Sequence, residues 1–262
     1  MRYKQIILFY TLALPISLAL RFIQLFFVIE PETGFYKQGF GVWGGSITAI
    51  IMAIAFVIIV FSKFAHRAPE KMPPVKLGLS ISSVLFAAAI MAELVLGGET
   101  FGAVMWQKTL LYVFGVVFAL WLLAFAIKDY LKFRLPAVIA VIPCFYFVVK
   151  IICIFAGISS LALISDHILL ILAYCAVLLF MLQFAKALNN IDTERGFRKL
   201  LATGLISSIL CVVQSVPNIV FHFVSENGYL HIAMITNVVM LFTGLFITVF
   251  TLSHFSRKNA DR

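Results

Sequence analysis

Charge is what this sequence has least of. Only 12% of its 262 residues are Asp, Glu, Lys or Arg, and of these 11 are acidic against 20 basic. Soluble domains carry about a quarter charged residues, so a chain that is 63% hydrophobic, with a mean hydropathy of +1.09, is excluded from that class. Cysteine pairing is missing as well. Cys144, Cys153, Cys175 and Cys211 all fall in apolar runs, with no Cys-x-x-Cys pair and no histidine at ligand spacing. That excludes a zinc ribbon or a redox dithiol and leaves them as small packing residues. Catalytic signatures are lacking too: there is no His-Glu-x-x-His, no Gly-x-Ser-x-Gly and no Walker loop. We therefore expect no cofactor and no metal site, and the balance is against an enzyme.

What is present is a series of apolar runs of about 20 residues, the length needed to cross a hydrocarbon core about 30 Å thick. Eight are expected: Gln5 to Ile29, Trp43 to Phe61, Leu77 to Leu96, Val104 to Ile127, Ala137 to Ile158, Ile168 to Leu188, Leu200 to Phe223, and Leu230 to Phe255. The opening Met1-Arg2-Tyr3-Lys4 mimics a signal peptide, but the run behind it continues to Ile29, too far for a signal core, and reads as the first span. The fold class is all-α, a polytopic helical bundle forming a single integral membrane domain over residues 1–262.

The net charge of +9 could point to nucleic acid, but its distribution points to topology. Arg2 and Lys4 precede the first span, and Lys63, Arg67, Lys71 and Lys76 follow the second. Lys128, Lys132 and Arg134 follow the fourth; Lys186, Arg195, Arg198 and Lys199 lie around the end of the sixth; Arg257, Lys258 and Arg262 close the chain. The alternate loops hold only Lys37 and Lys108, with Glu30, Glu32, Glu99, Asp166 and Glu226. The positive-inside rule places both termini and the basic loops in the cytoplasm. Membrane lipid is the expected partner, not nucleic acid. Pro69, Pro73, Pro74, Pro136 and Asn227-Gly228 punctuate the loops as this topology requires. The outer loop from Pro31 to Gly45 is rich in glycine and aromatics, suited to an interfacial belt or to a lid over the helix ends.

Three charges fall well inside spans: Arg21, Glu93 and Lys150. All come late in outward-running spans, so at about 1.5 Å per residue they share a depth in the outer half. Uncharged polar residues follow the same rule. Gln24 shares the Arg21 face, Gln214, Asn218 and His222 recur at i, i+4 and i+8 in the seventh span, and Asn237 comes early in the eighth. In one reading these residues merely knit helices together, with Arg21 and Lys150 snorkelling or pairing with Glu93. In the other they line an outward-facing intramembrane pocket. Two cations against one carboxylate would leave a positive surplus there, suited to a small anionic or amphiphilic ligand. Lys150 with Glu93 also fits a retinal Schiff base and counter-ion, which nothing else supports. His167, His222 and His231 lie near the outer face with Asp166 and Glu226, but without ligand-pair spacing.

At Arg21-x-x-Gln24 followed by Glu30-Pro31-Glu32-Thr33-Gly34-Phe35, the chain resembles an uncharacterised group of multi-spanning membrane proteins from Gram-positive anaerobic bacteria. That group commonly has aspartate where this chain has Glu30. A second likeness is Ser165-Asp166-His167 leading to Tyr174, where the group more often has Ser-Asp-Pro and an Asp-Tyr pair. Here Ala173 replaces that aspartate, which puts in doubt any role needing a carboxylate there. The resemblance implies a multi-pass protein of the bacterial cytoplasmic membrane and no known activity.

The leading expectation is a membrane protein that binds or transports a small anionic or amphiphilic ligand. Arg21 and Lys150 would supply charge, Glu93 the counter-charge, and Gln24, Gln214, Asn218, His222 and Asn237 the remaining polar contacts. The alternatives are a helical subunit that assembles with a membrane protein partner, and a membrane enzyme acting on lipid at the outer interface with Glu93 or His222 as base.

Overall fold

The computed structural model describes residues 3–30, 33–63, 75–97, 104–131, 138–158, 165–189, 191, 193–224 and 232–256. Eight α-helices run through them: α1 (Tyr3–Ile23), α2 (Gly41–Lys63), α3 (Leu77–Leu96), α4 (Met105–Ile127), α5 (Ile142–Ile158), α6 (Ser165–Leu188), α7 (Thr193–Val224) and α8 (Met234–Ser256). All eight are long and apolar enough to cross a membrane. The bundle is all-α with eight spans, as the hydropathy requires. Pro69, Pro73, Pro74, Pro136, Asn227-Gly228 and half of the basic loop residues lie outside the described residues, as do Pro31 and Glu32.

Several elements differ in detail from the sequence expectation. The first helix changes to a π-helical turn at Gln24–Val28, and a 3-10 turn at Val138–Val141 leads into α5. α6 begins at Ser165, which brings Asp166 into its first turn rather than leaving it in a loop. α7 has 32 residues, a length of about 48 Å at about 1.5 Å per residue. It therefore outgrows the hydrocarbon layer.

Helices α3, α4, α5, α6, α7 and α8 each pack on the next, and α8 packs back on α3, so six helices close a ring. Aromatic side chains from five of them fill its interior. Tyr146 lies against Phe118 at 5.3 Å between centroids, Phe118 against Phe86 at 5.5 Å, Phe86 against Phe246 at 5.8 Å, and Phe184 against Phe250 at 4.9 Å. Edge-to-face and tilted pairs at these separations each add stabilisation beyond their buried area.

α7 contributes small residues instead. A Cβ on Gly204 would stand 2.8 Å from the Thr251 hydroxyl and 3.3 Å from the Phe180 ring, and one on Gly244 of α8 would stand 3.0 Å from Val212 and 3.1 Å from Cys211. Absent side chains at these points let α6, α7 and α8 approach closely. The α1–α2 hairpin packs on the other side of α7, where Tyr10 hydrogen-bonds Ser208 at 2.9 Å. With the ring on one side and the hairpin on the other, 83% of the α7 span is buried, against 28% for α1 and for α2. Lipid therefore does not touch most of α7, which explains how the least apolar span can carry Ser207, Gln214 and Asn218.

An even number of crossings leaves both ends on one side. In a bacterial inner membrane, alkaline phosphatase fused within residues 132–137 is expected to be inactive and within 159–164 active; the opposite pattern would invert the orientation. Gly204→Val is expected to lower stability by about 1–3 kcal/mol through overpacking against Phe180 and Thr251, seen as a lower unfolding temperature of the purified protein.

Candidate functional site

Arg21 closes the last turn of α1. The next residues widen into the π-helical turn, where the Ile29 amide donates to the Gln24 carbonyl at 2.9 Å. Such insertions occur often at functional positions, because they re-aim side chains that a regular helix would send elsewhere. The chain then doubles back. Glu30 N–H donates to Phe35 O at 2.8 Å, and Lys37 N–H to Val28 O at 2.9 Å, around Gly34 with φ of 73°. This turn lays Tyr36 over Gly44, where a Cβ would collide with the ring. The described part of the Pro31 to Gly45 loop thus folds back over the helix ends, with Phe35, Phe40 and Trp43 exposed.

Gln24 sits under Tyr36 and is fully buried. Its Oε1 accepts from Arg21, while Nε2 donates to the Gly44 carbonyl and the Thr48 hydroxyl, both at 2.9 Å, and more weakly to Tyr36 at 3.3 Å. The other terminal nitrogen of Arg21 makes an ion pair with the carboxylate of Asp166. The Asp166 carbonyl accepts from Gln214 at 3.4 Å. Asn218 donates to the Gln214 carbonyl at 2.9 Å and approaches Asn237 at 3.5 Å. One residue earlier on α8, Thr236 donates to Glu93 Oε1 at 2.8 Å. Glu93 also accepts from Lys150 at 2.7 Å and, on Oε2, from Tyr146 at 3.1 Å. A polar layer therefore runs from the hairpin through α6, α7 and α8 to α3 and α5.

Of the eight residues expected in a site, seven lie in this layer. The eighth, His222, does not. It is exposed on the last turn of α7, beside Phe223, where no described residue covers it.

The expected surplus of positive charge is also overturned. Arg21 does not turn to Glu93; it has its own carboxylate, Asp166, so two cations face two carboxylates. Asp166 was legible only as a loop acid. The available signal was its place just before a long apolar run, where the helix N-terminus favours negative charge. Among the described residues no group of three or more His, Cys, Asp or Glu is arranged to hold a metal ion; His231 and Glu226 lie outside them.

The two ion pairs are built differently. Both oxygens of Glu93 are occupied, by three donors in all, which makes it a poor general base and a good brace between α3, α5 and α8. Around Arg21 the accounting is incomplete. Arg21 Nε, Ser17 Oγ one helical turn before it, and Gln214 Oε1 are buried with no hydrogen-bond partner among the described residues.

Compared with protein-family models, with curated proteins and with solved structures, the chain matches none.

Removing one member of the braced pair strands the other charge. Lys150→Ala or Glu93→Ala is expected to cost roughly 3–5 kcal/mol, whereas Lys150→Met with Glu93→Leu should be close to neutral. Unfolding of the purified single and double variants measures the coupling; additive losses would mean that the two side chains do not depend on each other.

Proposed function

We propose that this chain is a multi-pass protein of a bacterial cytoplasmic membrane that binds or moves a small ligand bearing an anionic group. The binding position is the Arg21 cluster, in the outer half of the bundle given the charge-derived orientation. The observation that carries this reading is the contrast between the two ion pairs. Lys150 and Glu93 satisfy each other and their neighbours, as a helix brace should. The Arg21 cluster leaves one donor, one acceptor and one hydroxyl buried without partners among the described residues. Native interiors satisfy nearly all such groups, so three of them in one cluster call for an explanation, and a bound ion or solute is one.

Two further features support it. An intramembrane ionisable residue is costly and is usually retained for function. The cluster also lies next to the Tyr36 turn, which joins α1 to α2 on the outer side in this orientation. Arg21 is joined to that turn through Gln24, so a ligand arriving from outside would meet Tyr36, then Gln24, then the guanidinium.

The test is a thermal-stability screen of the purified protein against carboxylates, phosphates and lipids. It is run beside Arg21→Met/Asp166→Leu and Lys150→Met/Glu93→Leu, which remove one ion pair each without stranding a charge. A compound that raises the unfolding temperature of the wild type and of the second variant, but not of the first, is the expected result. Equal responses from all three proteins, or none from the wild type, would sink the reading.

A further inference from the structure

Resting on the reading that the Arg21 cluster receives a ligand, we infer that the ligand is a zwitterion, presenting an anionic oxygen group and an ammonium a few ångströms apart. The argument is charge balance in a medium that cannot screen it. Arg21, Lys150, Asp166 and Glu93 are 1%, 0%, 4% and 2% exposed, and they pair one to one. Their formal charges sum to zero.

A net anion entering this layer creates a deficit wherever it settles. If it takes Arg21, Asp166 is left as a lone carboxylate in hydrocarbon, and if it does not, the anion itself is alone; either state is costly. A net cation meets the same difficulty at Asp166. A zwitterion meets neither. Its anionic group replaces Asp166 on the guanidinium while its ammonium takes the Asp166 carboxylate, so one ion pair becomes two and every charge keeps a partner.

The unpartnered hydrogen-bonding atoms have the same polarity. Arg21 Nε can only donate, which suits an anionic oxygen, and Gln214 Oε1 can only accept, which suits an ammonium. Gln214 is bonded to the Asp166 backbone carbonyl at 3.4 Å, so its free acceptor belongs to the same cluster as that residue. Ser17 can serve either end. In the Lys150–Glu93 pair, by contrast, the ammonium and both carboxylate oxygens each already have a partner. Two sources carry this chemistry: a free amino acid-like solute, or the headgroup of a zwitterionic phospholipid.

Matched probes separate these possibilities. The full-length protein in detergent is titrated with the common amino acids, each set beside the carboxylate lacking the amine and the amine lacking the carboxylate, such as alanine, propionate and ethylamine. Micelles doped with phosphatidylethanolamine or with phosphatidylglycerol form the lipid arm. The expected result is an upward shift of unfolding temperature by several degrees with at least one amino acid or with phosphatidylethanolamine, and none with the matched single-charge probes. A shift with the amino acid alone identifies a free solute; a shift with phosphatidylethanolamine alone identifies a headgroup.

Ser17→Ala and Gln214→Leu leave both ion pairs in place and should each weaken binding about tenfold, the value of one hydrogen bond near the upper end of its range. Unchanged affinity in both would remove the zwitterion from this cluster. A carboxylate or phosphatidylglycerol that stabilises as well as its zwitterionic counterpart would overturn the inference and leave the binding site standing. No shift from any probe would overturn both.

Discussion

An ion in hydrocarbon must bring its partner with it. That constraint organises this bundle more than any contact between apolar faces. Lipid tails are as apolar as leucine, so burying leucine between helices gains little over leaving it in the bilayer. Arg21, Lys150, Glu93 and Asp166 have no such indifference. Each must find an opposite charge, and the helices that hold them are obliged to meet. Glu93 draws α3 and α5 together and recruits Thr236 of α8. Arg21 reaches from α1 to the first turn of α6, fastening the outer hairpin to the six-helix ring.

α7 makes this arrangement possible because it is shielded on both sides. Between the ring and the hairpin it can present Gln214 and Asn218 without exposing them to lipid, and those amides reach the main chain of Asp166 on α6 and the side chain of Asn237 on α8. The aromatic filling of the ring has the complementary role. Side chains from α3, α4, α5, α6 and α8 occupy its centre, so the polar layer is confined to the end of the bundle near Arg21 and to the seam along α7. The two charge pairs then differ in kind: one is saturated with donors, and the other stands among atoms that are still unsatisfied.

Much of this was legible before any coordinates. Span number and approximate limits follow from length and hydropathy alone, because the bilayer imposes one thickness on every helix. The layer of Arg21, Gln24, Glu93, Lys150, Gln214, Asn218 and Asn237 followed from counting residues along alternating spans. Periodicity failed at His222. The i, i+4, i+8 pattern defines a face of α7 but not how far its neighbours extend along it. Asp166 escapes hydropathy for a related reason: it belongs to the first turn of α6, ahead of the apolar run that marks the span. Its partner is 145 positions away, a distance over which local pattern carries no information.

The amino-acid sequence by itself determined that this is an eight-span helical membrane protein with its polar residues gathered at one depth. Those properties depend on composition, run length and order, each of which is local. Only the tertiary structure decided which cation meets which carboxylate, and so that the layer is neutral rather than positive. It also decided which of the two pairs is complete. Pairing depends on the positions of four helices at once, and a helical face has several possible neighbours until the bundle has closed.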